Sequence, residues 1–274
     1  MVGSLLLRGM LVGLVAGLLS FGFARIFGEP EVDRAIAFEA LNKAGEAKVG
    51  PHAHGEAHTH GGGHTHSQAQ ASTEAPEQEL VSRATQAGLG LATGVVVYGA
   101  AVGGLFALVF AFAYGRVGRL GPRATAALLA LGAYVAVVLV PSIKYPANPP
   151  AIGQAETIGS RTALYFLMIL VAVAALTLAV MLARRLSGQF GTWNATIMAG
   201  AAFVVVIAIA QYGLPAINEV PDQFSAALLW RFRLASLGIH AGLWATVGLL
   251  FGALTERAMA AQFGQPMAAR PLAR

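Results

Sequence analysis

The chain has 274 residues, 56% of them hydrophobic and only 11% charged, with a mean hydropathy of +0.65. A soluble domain carries about a quarter charged residues, so an ordinary cytosolic enzyme and a disordered chain are both excluded, and the long apolar runs point to an integral membrane protein. The absence of cysteine excludes disulfides, thiolate metal sites, iron–sulfur clusters and cysteine nucleophiles. The net charge is +5, but from Glu29 to Glu79 nine acids face three bases, a net of −6, which leaves +11 for the rest of the chain. That excess sits at the ends of apolar segments, where it acts as a topology signal rather than a nucleic-acid patch.

Six apolar segments are long enough to cross a bilayer core, which takes roughly 17–25 helical residues. They run Leu5–Phe27, Gly88–Tyr114, Ala124–Val140, Thr162–Ala183, Ala195–Leu214 and Leu234–Leu254. Continuous apolarity argues against barrel strands, which alternate and are shorter, and in lipid the backbone must satisfy its own hydrogen bonds, so helices remain. The expected fold is therefore all-α: a polytopic membrane helix bundle of about six transmembrane helices with a disordered His-rich outer loop. The expected division is residues 1–27, a first transmembrane helix; 28–87, an extracytoplasmic acidic and His-rich loop; 88–254, a five-helix transmembrane bundle; and 255–274, a cytoplasmic tail. The first segment carries Arg8 near its start, but no clear small-residue cleavage site follows, so it is expected to stay as a helix rather than leave as a signal peptide.

The short loops set an orientation. Arg116, Arg119 and Arg123 lie between the second and third segments, Arg184 and Arg185 follow the fourth, and Arg257, Arg270 and Arg274 follow the sixth. The positive-inside rule puts these, with both termini, in the cytoplasm. The loops at 28–87, 141–161 and 215–233 then face outward, although Arg231 and Arg233 run against the rule there. Glycines recur at helical spacing: Gly9, Gly13 and Gly17; Gly90 and Gly94; Gly99 and Gly103; Gly248 and Gly252. This places small residues on one helix face and suits close packing inside one bundle, with a dimer face as the other reading. A faint repeat pairs the third segment and its loop Pro146-Ala-Asn-Pro-Pro with the fifth segment and its loop Pro215-Ala-Ile-Asn-Glu-Val-Pro. Each loop leads to an arginine at the next helix start, Arg161 or Arg231. Parallel repeats of this kind occur in transporters, with sites between the copies.

Six of the seven histidines fall in one stretch, as three His-x-His pairs: His52 and His54, His58 and His60, His64 and His66. Their Gly, Ala, Thr, Ser and Gln neighbours cannot build a core. Neutral imidazole suits Co, Ni, Zn and Cu, and ligand type alone does not choose among them. The expected metal-binding set is these six histidines with Glu56. It should capture metal weakly and exchangeably, and release it as pH falls through an unperturbed imidazole pKa of about 6.5. No permanently bound cofactor is expected; the divalent metal is a ligand in transit. A solvated low-complexity linker is the competing reading of the stretch.

Polar groups at membrane depth are costly and often functional. His240 is the only histidine in an apolar segment, so a bis-histidine haem is excluded. It reads either as a hydrogen-bonded core histidine or as a group on a permeation path. The loop Lys144-Tyr-Pro-Ala-Asn-Pro-Pro offers Tyr145 and Asn148, and the matching loop offers Asn218, Glu219 and Asp222 near Arg231 and Arg233. Glu156 precedes Arg161 by five residues, and Glu29 and Asp33 share a face if the first helix continues. These carboxylates would either attract cations or pair with arginines to tie loops together. The candidate path residues are Asn148, Glu219 and His240. There is no phosphate-binding loop, serine–histidine–acid set or metalloprotease pattern, so no enzyme is expected.

The chain resembles the CbtA family of predicted cobalt transporter subunits of bacteria. The resemblance lies in the opening Leu6-Leu-Arg-Gly-Met-Leu-Val-Gly-Leu-Val-Ala-Gly-Leu helix, Gly28-Glu-Pro, Asp33-Arg-Ala-Ile-Ala-Phe-Glu39 and the histidine-rich loop. It continues in Lys144-Tyr-Pro-Ala-Asn-Pro-Pro, Asn218-Glu-Val-Pro and Trp230-Arg-Phe-Arg-Leu-Ala-Ser, and covers nearly the whole chain. It implies cobalt supply, a place in the bacterial inner membrane and a small single-span, histidine-bearing partner subunit, called CbtB; members are often described with five spans. The expected function is a transporter subunit for a divalent transition-metal cation, cobalt by this resemblance, with the outer loop capturing the ion. The competing function is a membrane-anchored metal-binding or metal-sensing module that translocates nothing.

Overall fold

The computed structural model describes residues 2–48, 82–116, 118 and 120–263. Among them every regular element is helical. The first helix, α1 (Val2–Phe23), passes through a π turn at Ala24–Gly28 directly into α2 (Glu29–Lys48). The helix thus continues well beyond the expected apolar span. The α2 sequence is rich in Ala, Glu and Lys, which favour helix regardless of apolarity. After the undescribed segment, Ser82 caps α3 (Arg83–Thr85) by accepting from the Thr85 amide at 3.4 Å, as N-cap serines do. A second π turn, Gln86–Gly90, leads into α4 (Leu91–Ala113).

The third crossing is α5 (Pro122–Ala133), a π turn at Tyr134–Leu139 and α6 (Val140–Lys144). Pro141, expected to end this helix at Val140, instead lies inside it. A proline removes one backbone donor and crowds the carbonyl four residues back. Here that carbonyl, Val137 O, accepts instead from the Tyr165 hydroxyl at 3.4 Å. The π turn ahead shifts the ladder by one residue, so that the Val140 N–H reaches Val135 O. The π turn before Pro30 works the same way, with the Glu29 N–H on Ala24 O.

A short 3-10 turn, Ala155–Thr157, precedes α7 (Ile158–Gly213), and α8 (Ala226–Phe263) ends the described chain. At about 1.5 Å per residue, the 56 residues of α7 would reach nearly three bilayer cores end to end. They do not, because Gly191 breaks the helix at φ 75°, ψ 160°, a left-handed-side conformation that glycine alone adopts without strain. The two arms fold back on each other. Met168 from the first and Ile207 from the second are buried in one cluster, and Arg161, near the start of the first, lies 3.2 Å from Glu219, just past the end of the second. Among the described residues, five helices are long and apolar enough to cross a membrane; with α7 counted as two arms, they offer six crossings.

The tightest contact joins α1 and α4. A Cβ on Gly99 would lie 2.5 Å from Gly13 O and 2.9 Å from Gly17 Cα, and one on Gly17 would lie 2.8 Å from Val96 Cα. Gly9 and Gly103 face each other in the same way, and Gly248 and Gly252 seat α8 against Ala130 and Ala126 of α5. These glycines pack the bundle internally, whereas Gly94 faces open space. The central core fills with Val12, Phe106, Phe110, Leu243, Val247 and Phe251. The exposed Leu, Ile, Val and Phe side chains along the crossings are what a lipid-facing surface requires.

Contacts at the two ends order the topology. Arg123 at the start of α5 pairs with Glu256 near the end of α8 at 2.5 Å, and Arg8 of α1 donates to Thr255 at 3.5 Å. This end also carries Arg116, Arg257 and, beside the Gly191 turn, Arg184 and Arg185. The opposite end carries α2, Arg83 and the two proline-rich loops. There Ala35 of α2 is buried with Ile152 and Phe224 of those loops, and Phe38 meets Phe224 edge-on at 4.9 Å.

Candidate functional site

The loop end holds a cavity of about 470 Å³, open on one side. Its wall combines Ser142, Tyr145 and Asn148 from α6 and the loop after it, Arg161, Thr162 and Tyr165 from α7, Asn218 and Glu219 from the second loop, and Arg233, Ser236 and His240 from α8. Helical spacing explains most of the wall. Arg161 and Tyr165 are four apart, as are Ser236 and His240, so each pair shares a helix face. The three residues singled out in the sequence, Asn148, Glu219 and His240, all line this one space, although 92 residues separate the first from the last.

Each side chain is fixed by named partners. Glu219 is 7% exposed. It accepts from the Gln154 amide at 3.2 Å, from Arg161 Nη1 at 3.2 Å and from the Thr157 hydroxyl. It therefore locks the turn before α7 to the second loop. Gly153 (φ 122°) makes this possible, since a Cβ there would lie 2.6 Å from Arg161 Nη2. Asn148 Oδ1 accepts from Arg233 Nη2 at 3.1 Å. The Tyr145 hydroxyl donates to Pro215 O at 2.7 Å, joining the two proline-rich loops, and burial pushes this phenol above its ordinary pKa. Lys144 and Gln211 close the wall from behind, with Lys144 Nζ donating to Gln211 O and Gln211 Nε2 donating to Val140 O at 2.9 Å.

His240 sits fourteen residues into α8, counted from Ala226. That is about 21 Å along the axis and deeper than the sequence suggested, because Ser225 starts the helix early by receiving the Leu228 and Leu229 amides. Its Nδ1 lies 2.9 Å from Ser236 O. With the proton on Nδ1, the ring donates to that carbonyl and leaves Nε2 as a free lone pair. His240 also lines a second cavity of about 480 Å³ with Glu29, Arg83 and Tyr98. Its ring meets Tyr98 edge-on at 6.5 Å. Glu29 and Asp33 do share a face, as the continued helix requires, and both reach Arg83, at 2.6 and 3.1 Å.

Other expected pairings fall differently. Arg161 takes Glu219 rather than Glu156, which is exposed, and Arg231 and Asp222 are also exposed. Arg233, rather than Arg231, reaches the cavity beside Arg161. The histidine stretch, His52 to His66 with Glu56, lies outside the described residues. Among the described residues, no group of three or more His, Cys, Asp or Glu side chains is placed to hold a metal ion.

The family model described as "Probable cobalt transporter subunit (CbtA)" matches residues 2–256. The chain belongs to the CbtA family. No curated protein and no solved structure matches it. That family is described as a probable cobalt transporter subunit, and the long apolar helices of the described residues suit a multi-pass membrane protein.

Sequence reading missed Ser142, Tyr165 and Ser236 as parts of this CbtA cavity. The available signal was polar residues four apart in otherwise apolar helices: Arg161 with Tyr165, and Ser236 with His240.

Proposed function

We propose that this protein moves a divalent transition-metal cation, cobalt by family, across a bacterial inner membrane, and that the cavity lined by Asn148, Glu219 and His240 is the loop-side station of its path. The observation that carries the reading is the convergence of these three residues on one cavity at the loop end of the bundle, with the His240 ring held through Nδ1 on Ser236 O. Buried polar cavities are expensive in lipid and are kept where something polar must pass.

The histidine stretch is the capture device in this reading. Its flanks support that role. The segment leaves α2 after Lys48 and returns at Ser82. α2 packs on the cavity loops through Ala35 and Phe38, and Arg83 lines the neighbouring cavity. The segment therefore leaves from a helix that packs on the cavity loops and returns beside the neighbouring cavity. His52, His54, His58, His60, His64 and His66, with Glu56, gather the ion there, and His240 receives it. The arginine-bearing end faces the cytoplasm, by the charge rule, and a small histidine-bearing membrane subunit completes the transporter.

The test is cobalt accumulation by cells producing the full chain or a variant lacking residues 52–66. At limiting cobalt the deletion should cut the initial rate severalfold, and at excess cobalt the difference should vanish. Equal rates at limiting cobalt would remove the loop from the mechanism.

A further inference from the structure

The charge of the cavity is at odds with a bare cation as its occupant. Among the described residues, the charged groups on its wall are Arg161, Glu219 and Arg233. Glu219 is committed: Oε2 takes the Gln154 amide and Arg161, Oε1 takes the Thr157 hydroxyl, and its charge cancels that of Arg161. Arg233 keeps its full positive charge against one neutral partner, the Asn148 amide oxygen at 3.1 Å. Its Nε is buried and has no hydrogen-bond partner. A divalent cation beside this guanidinium is repelled, and a low-dielectric surrounding strengthens that repulsion.

Ligand supply points the same way. His240 Nε2 is one good metal ligand, and no cluster of three His or acidic side chains stands around it among the described residues. One imidazole cannot replace the coordination shell of a transition metal, which takes four or more ligands. A metal resting here must bring most of its ligands with it. The volume of about 470 Å³ is far larger than an ion and lies in the range of small-molecule sites, roughly 300–1,000 Å³.

We infer that the cavity seats the metal as a complex with a small polycarboxylate, with Arg233 holding a carboxylate of the complex and His240 facing the metal. This inference rests on the cavity being a station on the metal path. A guanidinium presents a planar fork of donors that matches a carboxylate and is spent only in part on Asn148. Cobalt(II) with one fully ionised citrate carries a net charge of about −1, the sign that complements Arg233.

The test is calorimetric titration of the purified full chain in uncharged detergent with three titrants: cobalt chloride, metal-free citrate and cobalt–citrate. The wild type should bind citrate and its cobalt complex at one shared site. Arg233→Gln should weaken both at least tenfold without weakening cobalt chloride binding, since the repelling charge is gone, and Arg233→Lys should fall between. A competition on the wild type avoids dependence on the variant's folding: metal-free citrate should displace cobalt–citrate. The inference is overturned if the wild type does not bind citrate, or if Arg233→Gln binds citrate and cobalt–citrate as tightly as the wild type. Chain-dependent cobalt accumulation by cells would then still uphold the transporter reading, whereas its absence would overturn that reading whatever citrate does.

Discussion

Glu219 joins more of the site than any other side chain, because one carboxylate holds Arg161, the Gln154 amide and the Thr157 hydroxyl. Glu219→Gln removes its charge and leaves Arg161, whose side chain is 27% exposed, without an anion. Stranding a largely buried charge costs about 3 kcal/mol. The variant should therefore unfold at a clearly lower temperature in detergent, read by tryptophan fluorescence. An unchanged transition would mean that the latch is not formed in solution. Tyr145→Phe is a milder change. It deletes only the bond to Pro215 O, worth about 1 kcal/mol, and should lower stability by about that much. His240 differs from both: its contacts are one bond within its own helix, to Ser236 O, and an edge-on approach to Tyr98, so His240→Ala should impair transport more than stability.

At the scale of elements, the α1–α4 contact and the fold-back of α7 carry opposite lessons about glycine. Gly99→Leu would drive a side chain into Gly13 O and Gly17 Cα, and overpacking of this kind costs about 1–3 kcal/mol. Gly94→Ala meets no atom within 4 Å and should be neutral or stabilising, since glycine inside a helix costs up to about 1 kcal/mol relative to alanine. A thermal-stability comparison of the two variants checks the packing directly. The spacing of Gly9, Gly13, Gly17, Gly99 and Gly103 made this contact legible in the sequence, because only small residues let two backbones meet. The break at Gly191 was legible as the connection 184–194 between two apolar segments, but not that helix would run up to this one glycine from both sides, since a glycine's φ leaves no mark in the sequence. Nor did it show that the helices run past their apolar limits at Lys48, Pro141 and Ala226. Hydropathy reports where lipid begins, whereas helix continuation depends on caps, π turns and carbonyl partners such as Tyr165.

The whole molecule is a bundle with two unlike ends. One gathers Arg8, Arg116, Arg123, Arg184, Arg185 and Arg257; the other holds the proline-rich loops, α2 and the cavity. The absence of cysteine makes single-cysteine mapping clean. Arg185→Cys and Asp222→Cys, both at exposed positions, should react with a membrane-impermeant thiol reagent from opposite sides of the membrane. Labelling of both from one side would break the six-crossing topology. The convergence of Asn148, Glu219 and His240 was legible only as three polar interruptions. Their meeting depends on the α7 hairpin, which brings the two proline-rich loops together, and on Ser225, which starts α8 early enough to carry Arg233 and His240 to the same wall.

The transporter reading stands or falls with the cavity lying on the path of the metal. Its most direct test is the initial rate of radioactive cobalt accumulation by cells producing the wild type or His240→Ala at equal membrane abundance, with Glu256→Gln at the far end as a control for a distant ion-pair loss. The rate should fall at least tenfold for His240→Ala and stay near normal for Glu256→Gln. A wild-type rate in His240→Ala would contradict that reading and take the cavity off the path.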